Sequence, residues 1–566
     1  MGLFKFIFKL VGFLLTLIGL VVVMFFGCVA LSTCQANEPF SLEFNLTEED
    51  MQAYKEAAAD FKACIDEGKG NTSTLLAMAD FSALYSKIGT QYSVAYVNYC
   101  KNTTDEKAVS DYEFAFKAYN EANHLYRETL KGVLLSDSEF VETIFEGWTD
   151  DEKKMLLDNN EEVYRLNEKN EELLMEYRAL DDKAEGWADA VDEIYCEIVK
   201  NNNLIAAEYG YSDYYSYASK LLIDRNYTAE DRENLRRYVK TYIVPLYKQN
   251  LEKVKELYSS ADEKTVSAFD EIMGAAYPNN ERVQGYISDY IMSFSGDLSY
   301  ISYAMDAMFI PGRAVFANEK DSLTVAFTTY LSYFEEPVAY FGPGYHDALT
   351  VVHEMGHYAA FVENGILKMP IDFCEVHSQT NEWLFISYLE GKLDPKVHEL
   401  LVLSRLVEGL EKIIRAVAVD ECEERIYSAA DADTPEEHAA IISEVMALYG
   451  EDICEMLKLE RYFRYVASDN PVYYLSYAVS EIQSIENYLD SVEDFGAAQK
   501  AYAEFIEDSI DPAKTAEGLR AAFSEDTYKD LVERFAVESE DNEENETESE
   551  GSTVYAPILE WLLPAA

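Results

Sequence analysis

Basic residues are scarce in this chain. There are 46 Lys and Arg against 105 Asp and Glu, a formal net charge of −59. A phosphate backbone is repelled by that total, which argues against nucleic acid as a partner. The same deficit excludes attachment to an anionic membrane surface through basic side chains. The 8 cysteines never form a Cys-x-x-Cys pair, and in a long chain they make no disulfide scaffold. Most of them read as small buried apolar side chains. No internal repeat is visible. After the first 36 residues no second apolar run is long enough to cross a bilayer.

What remains is a globular composition over most of the chain: 49% apolar and 27% charged residues, with tyrosine plentiful at 43. At 566 residues there is room for two or more domains, or one large elongated one, and for a substantial core.

Lys5 and Lys9 precede an uncharged, largely apolar run from Leu10 to Ala36. A bilayer core needs about 20 such residues in helical form. The two lysines favour the cytoplasmic side, so the rest of the chain is expected outside the cell membrane, tethered to the lipid bilayer. The segment 1–36 is read as a signal anchor or a bacterial lipoprotein signal. Phe26-Gly27-Cys28 and Leu31-Ser32-Thr33-Cys34 each approximate a lipobox. Simple cleavage and secretion is the third choice, because the run is long for that purpose.

Residues 37–45 read as an extended leader. Helical periodicity begins near Thr47 and continues for most of the chain. Residues 48–66, 107–135 and 151–200 read as amphipathic helices. Gly210 breaks a helix, and Ser212 or Asp213 is placed to cap the next. Helices are expected over 229–258 and 262–276. β-branched and aromatic residues rise around 293–334, where a small sheet is expected. Phe341-Gly342-Pro343-Gly344 reads as a turn. Helices then run from His346 to about Val532, with breaks near 367–370, 394–395, 431–435 and 468–471. Residues 538–550 hold eight acids and no base, so they are expected to be disordered. The apolar tail after them is too short to span a bilayer. The fold class expected is all-α with a small β element near the active site. The domains expected are 37–220, an N-terminal helical domain, and 221–537, a second helical domain carrying the chemistry. The segment 538–566 follows as linker and tail.

The strongest local signal is His353-Glu354-Met355-Gly356-His357. On a helix, residues four apart share a face, so His353 and His357 can hold one metal ion. Glu354 is rotated about a quarter turn from them and can reach water at that ion. Gly356 permits close approach of another element. Downstream lies Asp372-Phe373-Cys374-Glu375-Val376-His377-Ser378-Gln379-Thr380-Asn381-Glu382. As a helix, this segment puts Glu375 and Glu382 two turns apart on one face. Glu375 can supply the third ligand, and Glu382 can accept a hydrogen bond from the outer nitrogen of a ligating histidine. Two imidazoles and one carboxylate leave a fourth zinc position open for water. His377 is an alternative ligand, but it points elsewhere and reads as a pocket-wall or surface residue. Cys374 reads as a packing residue and His398 as a surface one. His124 and His438 have no constellation around them.

These residues resemble the thimet oligopeptidase and oligoendopeptidase F family of zinc metallopeptidases. Tyr345-His346-Asp347 resembles the lead-in to that family's HExxH helix. The Asp372–Glu382 segment is similar to its second signature, which implies Glu375 as the zinc glutamate. Asn201–Ser219, with Gly210-Tyr211 and Tyr214-Tyr215, resembles a further family segment. Asn470-Pro471-Val472-Tyr473-Tyr474-Leu475-Ser476-Tyr477 resembles the family's tyrosine motif, whose pair spaced three apart falls on Tyr474 and Tyr477. The likeness spans roughly residues 45–530. Two departures stand out. The spacing from His353 to Glu375 is 22 residues, shorter than is usual in the family. No histidine precedes the tyrosine motif, where Tyr462, Tyr465 and Ser468 stand instead.

The resemblance implies an elongated helical body of two halves flanking a deep channel. It further implies one Zn2+ per chain and hydrolysis of internal bonds in short unfolded peptides. Glu354 would be the general base, and Tyr477 then Tyr474 would stabilise the oxyanion. The competing expectations are a tethered peptide-binding protein without catalysis and a metallo-exopeptidase. Oligomeric state is left open.

Overall fold

The computed structural model describes residues 40–536 apart from 69–70, 139, 147, 159, 182, 275–276, 366–369, 430–433, 469 and 510. The expected membrane segment at 1–36 and the expected linker and tail at 538–566 lie outside the described residues. Among the described residues no helix is long and apolar enough to cross a membrane.

The chain divides into two compact units. One holds residues up to Gly147 together with Thr329–Glu336; the other holds Trp148–Thr328 and everything from Pro337 on. The first boundary therefore falls earlier than residue 220.

The first unit is built on three helices: α1 (Glu48–Asp66), α2 (Asn71–Lys101) and α3 (Glu106–Leu134). Thr47 and Asp50 cap α1 reciprocally, each side chain taking the other's backbone N–H. Asp105 caps α3. The interior is an aromatic ladder. Tyr54 stacks on Phe81 at 5.2 Å, Phe81 on Tyr126 at 5.3 Å, Tyr85 on Tyr126 at 4.4 Å and Tyr92 on Tyr119 at 5.1 Å. Part of the tyrosine excess is thus spent on packing.

In the second unit the stretch 151–200 is several helices rather than one. Helix α4 (Glu161–Arg178) is capped by Asn160, and α5 (Trp187–Glu208) starts after Gly186 at φ 87°. Charge patterning continues across both breaks, so periodicity alone missed them. Gly210 adopts φ 81° and Asp213 caps the short turn that follows, accepting from the Ser216 N–H at 2.7 Å. Next come α6 (Ala229–Tyr238) and α7 (Val244–Ser260), joined without a break through a π turn at Val239–Ile243. Pro245 lies just past that turn, where a missing N–H does no harm. Helices α8 (Glu263–Met273), α9 (Glu281–Ser293) and α10 (Ser299–Ala307) follow.

Three strands, β1 (Ala314–Phe316), β2 (Ala326–Leu331) and β3 (Glu336–Phe341), form one sheet in the order β1-β3-β2. β1 runs parallel to β3 with Val315 opposite Tyr340. The four-residue connection from β2 to β3 makes those strands antiparallel. The sheet thus reaches Phe341, further than the 293–334 expected, because Glu336–Phe341 pairs before the glycines turn the chain. β3 is almost wholly buried.

The remaining helices carry the main core: α11 (Ala348–Asn364), α12 (Ile371–Leu389), α13 (Pro395–Ser428), α14 (Pro435–Ala447), α15 (Leu459–Val466), α16 (Leu475–Glu493) and α17 (Phe495–Asp508). Breaks at Pro370, Asp394 and Thr434 come where proline and cap residues place them. α12 packs on both α11 and α16 and is buried nearly all round, polar residues included. Those polar groups tie the helices together. Asn381 donates to the Val352 carbonyl at 2.7 Å and accepts from the Tyr290 hydroxyl at 2.6 Å, while Thr380 bonds Ser484 at 3.1 Å.

Candidate metal and catalytic site

Helix α11 begins at Asp347, whose carboxylate accepts from the Thr350 N–H at 2.9 Å and its hydroxyl at 2.6 Å. Two turns in, His353 and His357 share one face, with ring centroids 5.0 Å apart. Opposite them stands Glu375 in the second turn of α12. Its Oε2 is 3.6 Å from His353 Nε2 and 3.7 Å from His357 Nε2. The approach depends on Gly356: a Cβ there would lie 2.7 Å from the His377 carbonyl oxygen and 2.8 Å from Ser378 Cα. Any larger residue would push the two ligand-bearing helices apart.

One ligand atom from each of His353, His357 and Glu375 falls within 4.8 Å of the others. A tetrahedral ion with ligands at about 2.0–2.1 Å holds neighbouring ligand atoms about 3.3 Å apart. The two histidine-to-Glu375 spacings are a few tenths of an ångström wider, so small side-chain shifts bring Glu375 to that distance. The residues present therefore fit a divalent metal ion.

The surroundings orient this donor set. His353 Nδ1 lies 2.6 Å from Glu382 Oε1. With a metal ion held at Nε2, that partner would keep the ring proton on Nδ1. Glu382 is held in turn by Arg405, whose Nε donates at 2.7 Å; the same guanidinium reaches Glu481 at 2.9 Å. Trp383 Nε1 donates to Glu481 at 3.2 Å. Arg405 is fully buried, so this is a compensated internal ion network. Ser378 donates to Glu375 Oε2 at 3.2 Å, and the Tyr473 hydroxyl reaches Glu375 Oε1 at 3.4 Å.

The electrostatics follow from burial and these partners. Burial disfavours charge on His353, but its hydrogen bond to Glu382 and the nearby carboxylates outweigh it and lift the ring to about 9. Burial and the charge of His353 hold His357 down at about 3. Burial raises Glu354 to about 7, against the pull of His353 and of Thr328. Burial works against the ionised Glu382, yet Arg405 and His353 together hold it at about 2. Glu354 is 4% exposed. Thr328 on β2 donates to its Oε2 at 2.7 Å, so the small sheet positions this carboxyl.

The structure brings His353, His357, Glu375, Glu354 and Glu382 together. Tyr474 and Tyr477 stand in one cluster with Tyr473 and Tyr462, with ring centroids 5.7 Å apart for Tyr474–Tyr477 and 6.1 Å for Tyr462–Tyr474. Within this cluster the hydroxyl that touches Glu375 is Tyr473, and the Tyr477 ring meets the Tyr473 ring edge-on at 5.4 Å. Thr328, Tyr473 and Arg405 join the site through tertiary contacts. Nothing in their local spacing marks them, because each acts across a tertiary contact.

Of the two readings of His377, the surface one falls away: it is fully buried against Phe373, with ring centroids 5.3 Å apart, and stands outside the group of His353, His357 and Glu375. Burial, with the charge of His357, holds its ring at about 4. His398 is no bare surface residue either, since its Nε2 bonds the Ile386 carbonyl at 3.0 Å. Cys374 Sγ is half-buried beside the Pro370 carbonyl at 3.5 Å. His438 is buried with its ring against Tyr195.

No family model matches the sequence, and no curated protein matches it. Solved structures do match the fold. PZ peptidase A with an inhibitor aligns at a TM-score of 0.65 and 15% identity over 88% of this chain and 98% of its own. A candidate oligoendopeptidase F from crystals grown by microfluidic seeding aligns at 0.66 and 15%, over 88% and 97%. Another, from Bacillus anthracis strain Ames, aligns at 0.63 and 16%, over 88% and 96%. The fold of this chain is the mainly helical fold of the oligoendopeptidase F structures.

Proposed function

We propose that the chain is a zinc-dependent endopeptidase that hydrolyses internal bonds of short, unfolded peptides. The observation that supports it most is the convergence of His353, His357 and Glu375 on one point with the Glu354 carboxyl beside it. Two imidazoles and a carboxylate suit zinc and leave a position open. Zinc, when bound, would polarise the scissile carbonyl and make water a better nucleophile at neutral pH.

The chain's own residues supply the rest. Glu354, with its carboxyl buried beside the donor set, is placed to take the attacking water's proton and pass it to the leaving amine. Thr328 holds one of its oxygens and so fixes the plane of the carboxyl. With zinc at Nε2, Glu382 would hold the His353 proton on Nδ1. Tyr477 first, and Tyr474 second, would donate to the oxyanion. We extend the proposal to location: the segment 1–36 tethers the body outside the cell membrane.

The test is mass spectrometry of a ten-residue peptide blocked at both ends, incubated with the zinc-loaded protein. Internal cuts are expected, lost in Glu354→Gln with zinc still bound. Trimming of only unblocked peptides would turn the reading to an exopeptidase. No cleavage of any peptide would leave a binding protein.

A further inference from the structure

The segment that carries the tyrosines contains a backbone conformation its own sequence does not favour. Asn470-Pro471-Val472-Tyr473 is a turn closed by the Tyr473 N–H donating to the Asn470 carbonyl at 3.3 Å. Val472 has φ 66°. Proline second and a positive φ third is the pattern of a type II turn, in which the third place belongs to glycine or asparagine. Proline fits its place here. A β-branched residue at positive φ does not, and it persists only where the surroundings over-determine it.

What over-determines it is a buried carboxyl. The Val472 N–H donates to Glu423 Oε1 at 2.8 Å. Glu423 projects from α13, and both residues are 0% exposed. Glu423 Oε2 has no hydrogen-bond partner, so the backbone of Val472 is the group this side chain serves. Burial pushes the carboxyl well above the usual range. The other end of the segment is pinned as well: Ser476 Oγ donates to Asp372 in the first turn of α12 at 2.6 Å. Between the two anchors Tyr473 reaches Glu375 Oε1, and the Tyr477 ring packs edge-on against Tyr473 at 5.4 Å.

We infer that Glu423 is a positioning residue: by holding Val472 in the left-handed region it locks the tyrosine segment onto the metal-ligating Glu375. The consequence for turnover rests on the peptidase reading above; the lock itself does not. Without Glu423, Val472 relaxes to negative φ, and Tyr473 and everything behind it re-aim. With glycine at 472 the turn costs nothing and no longer needs the carboxyl.

The experiment uses the full-length protein and four variants: Glu423→Ala, Glu423→Gln, Val472→Gly and the double Glu423→Ala/Val472→Gly. The first readout is hydrogen exchange of the Tyr473 amide in metal-free protein. Exchange should rise about tenfold or more in Glu423→Ala, return most of the way in the double variant, and stay low in Glu423→Gln, whose amide oxygen still accepts. The second readout is kcat and KM per bound zinc. Here kcat should drop about tenfold in Glu423→Ala with KM changed less, and the double variant should recover most of it. A lesion that was merely loss of packing would not be repaired by a second substitution to glycine. If Glu423→Ala leaves Tyr473 exchange unchanged, or if Val472→Gly fails to restore it, the inference is overturned. If exchange behaves as stated but wild type cuts no peptide, the lock stands and the peptidase reading falls.

Discussion

Glu382 Oε1 sits 2.6 Å from His353 Nδ1, and its other oxygen accepts from the fully buried Arg405 at 2.7 Å. The candidate metal ligand is thus fixed through a chain of buried charges rather than by its helix alone. Glu382→Ala is expected to lower zinc affinity about 10- to 100-fold, the usual cost of losing such a partner. Competition titration with a chromophoric chelator measures it. An unchanged affinity would show that His353 needs no outer partner.

Gly356 decides how closely α11 and α12 approach. In Gly356→Ala the added carbon meets the His377 carbonyl and Ser378 Cα, both backbone. Backbone cannot swing aside as a long side chain can. The expected cost is about 1–3 kcal/mol of stability, read by urea unfolding of metal-free protein, with weaker zinc binding beside it. Wild-type values for both would mean the helices slide freely.

Thr328→Val keeps the shape of the side chain and removes the hydroxyl that donates to Glu354 Oε2 at 2.7 Å. A hydrogen bond to a charged group is worth about 1.5–3 kcal/mol, so kcat should fall about tenfold or more. Zinc content should not change, since Thr328 touches no ligand. Steady-state kinetics alongside metal analysis checks both.

Glu411 supplies a pH prediction away from the metal. Burial lifts its carboxyl to about 7, despite Arg415 at 3.0 Å and the Tyr247 hydroxyl at 3.4 Å. The folded state therefore holds this proton more tightly than the unfolded one. Its contribution is fully present below the unfolded value of 4.5 and is lost as pH rises through about 7. Wild type minus Glu411→Gln, followed by urea unfolding at pH 5 and pH 8, should differ by up to about 3 kcal/mol, with Glu411→Gln relatively more stable at pH 8. A flat difference would show that Glu411 titrates normally.

Chelation tests the centre as a whole. A ligand that binds only the folded state raises its stability by mass action. Removing zinc should lower Tm by several degrees, and adding it back should restore the value. A Tm indifferent to zinc would argue against a site formed by His353, His357 and Glu375.

Much of this centre is local chemistry. The four-residue spacing of His353 and His357, the seven-residue spacing of Glu375 and Glu382, the Asp347 cap and the proline-marked breaks all follow from helical geometry within one segment. Helices are self-contained in their backbone bonding, so their presence is written nearly residue by residue. Long-range relations have no such signature. Asp372–Glu382 reads as polar, yet α12 is buried because α11 and α16 close over it. Thr328 becomes a partner of Glu354 only when a strand is laid beside the helix. Val472 adopts a glycine's conformation because Glu423, 49 residues earlier, accepts its N–H. Each of these depends on which surfaces meet, and that is settled by packing the whole core at once rather than by any stretch of neighbours.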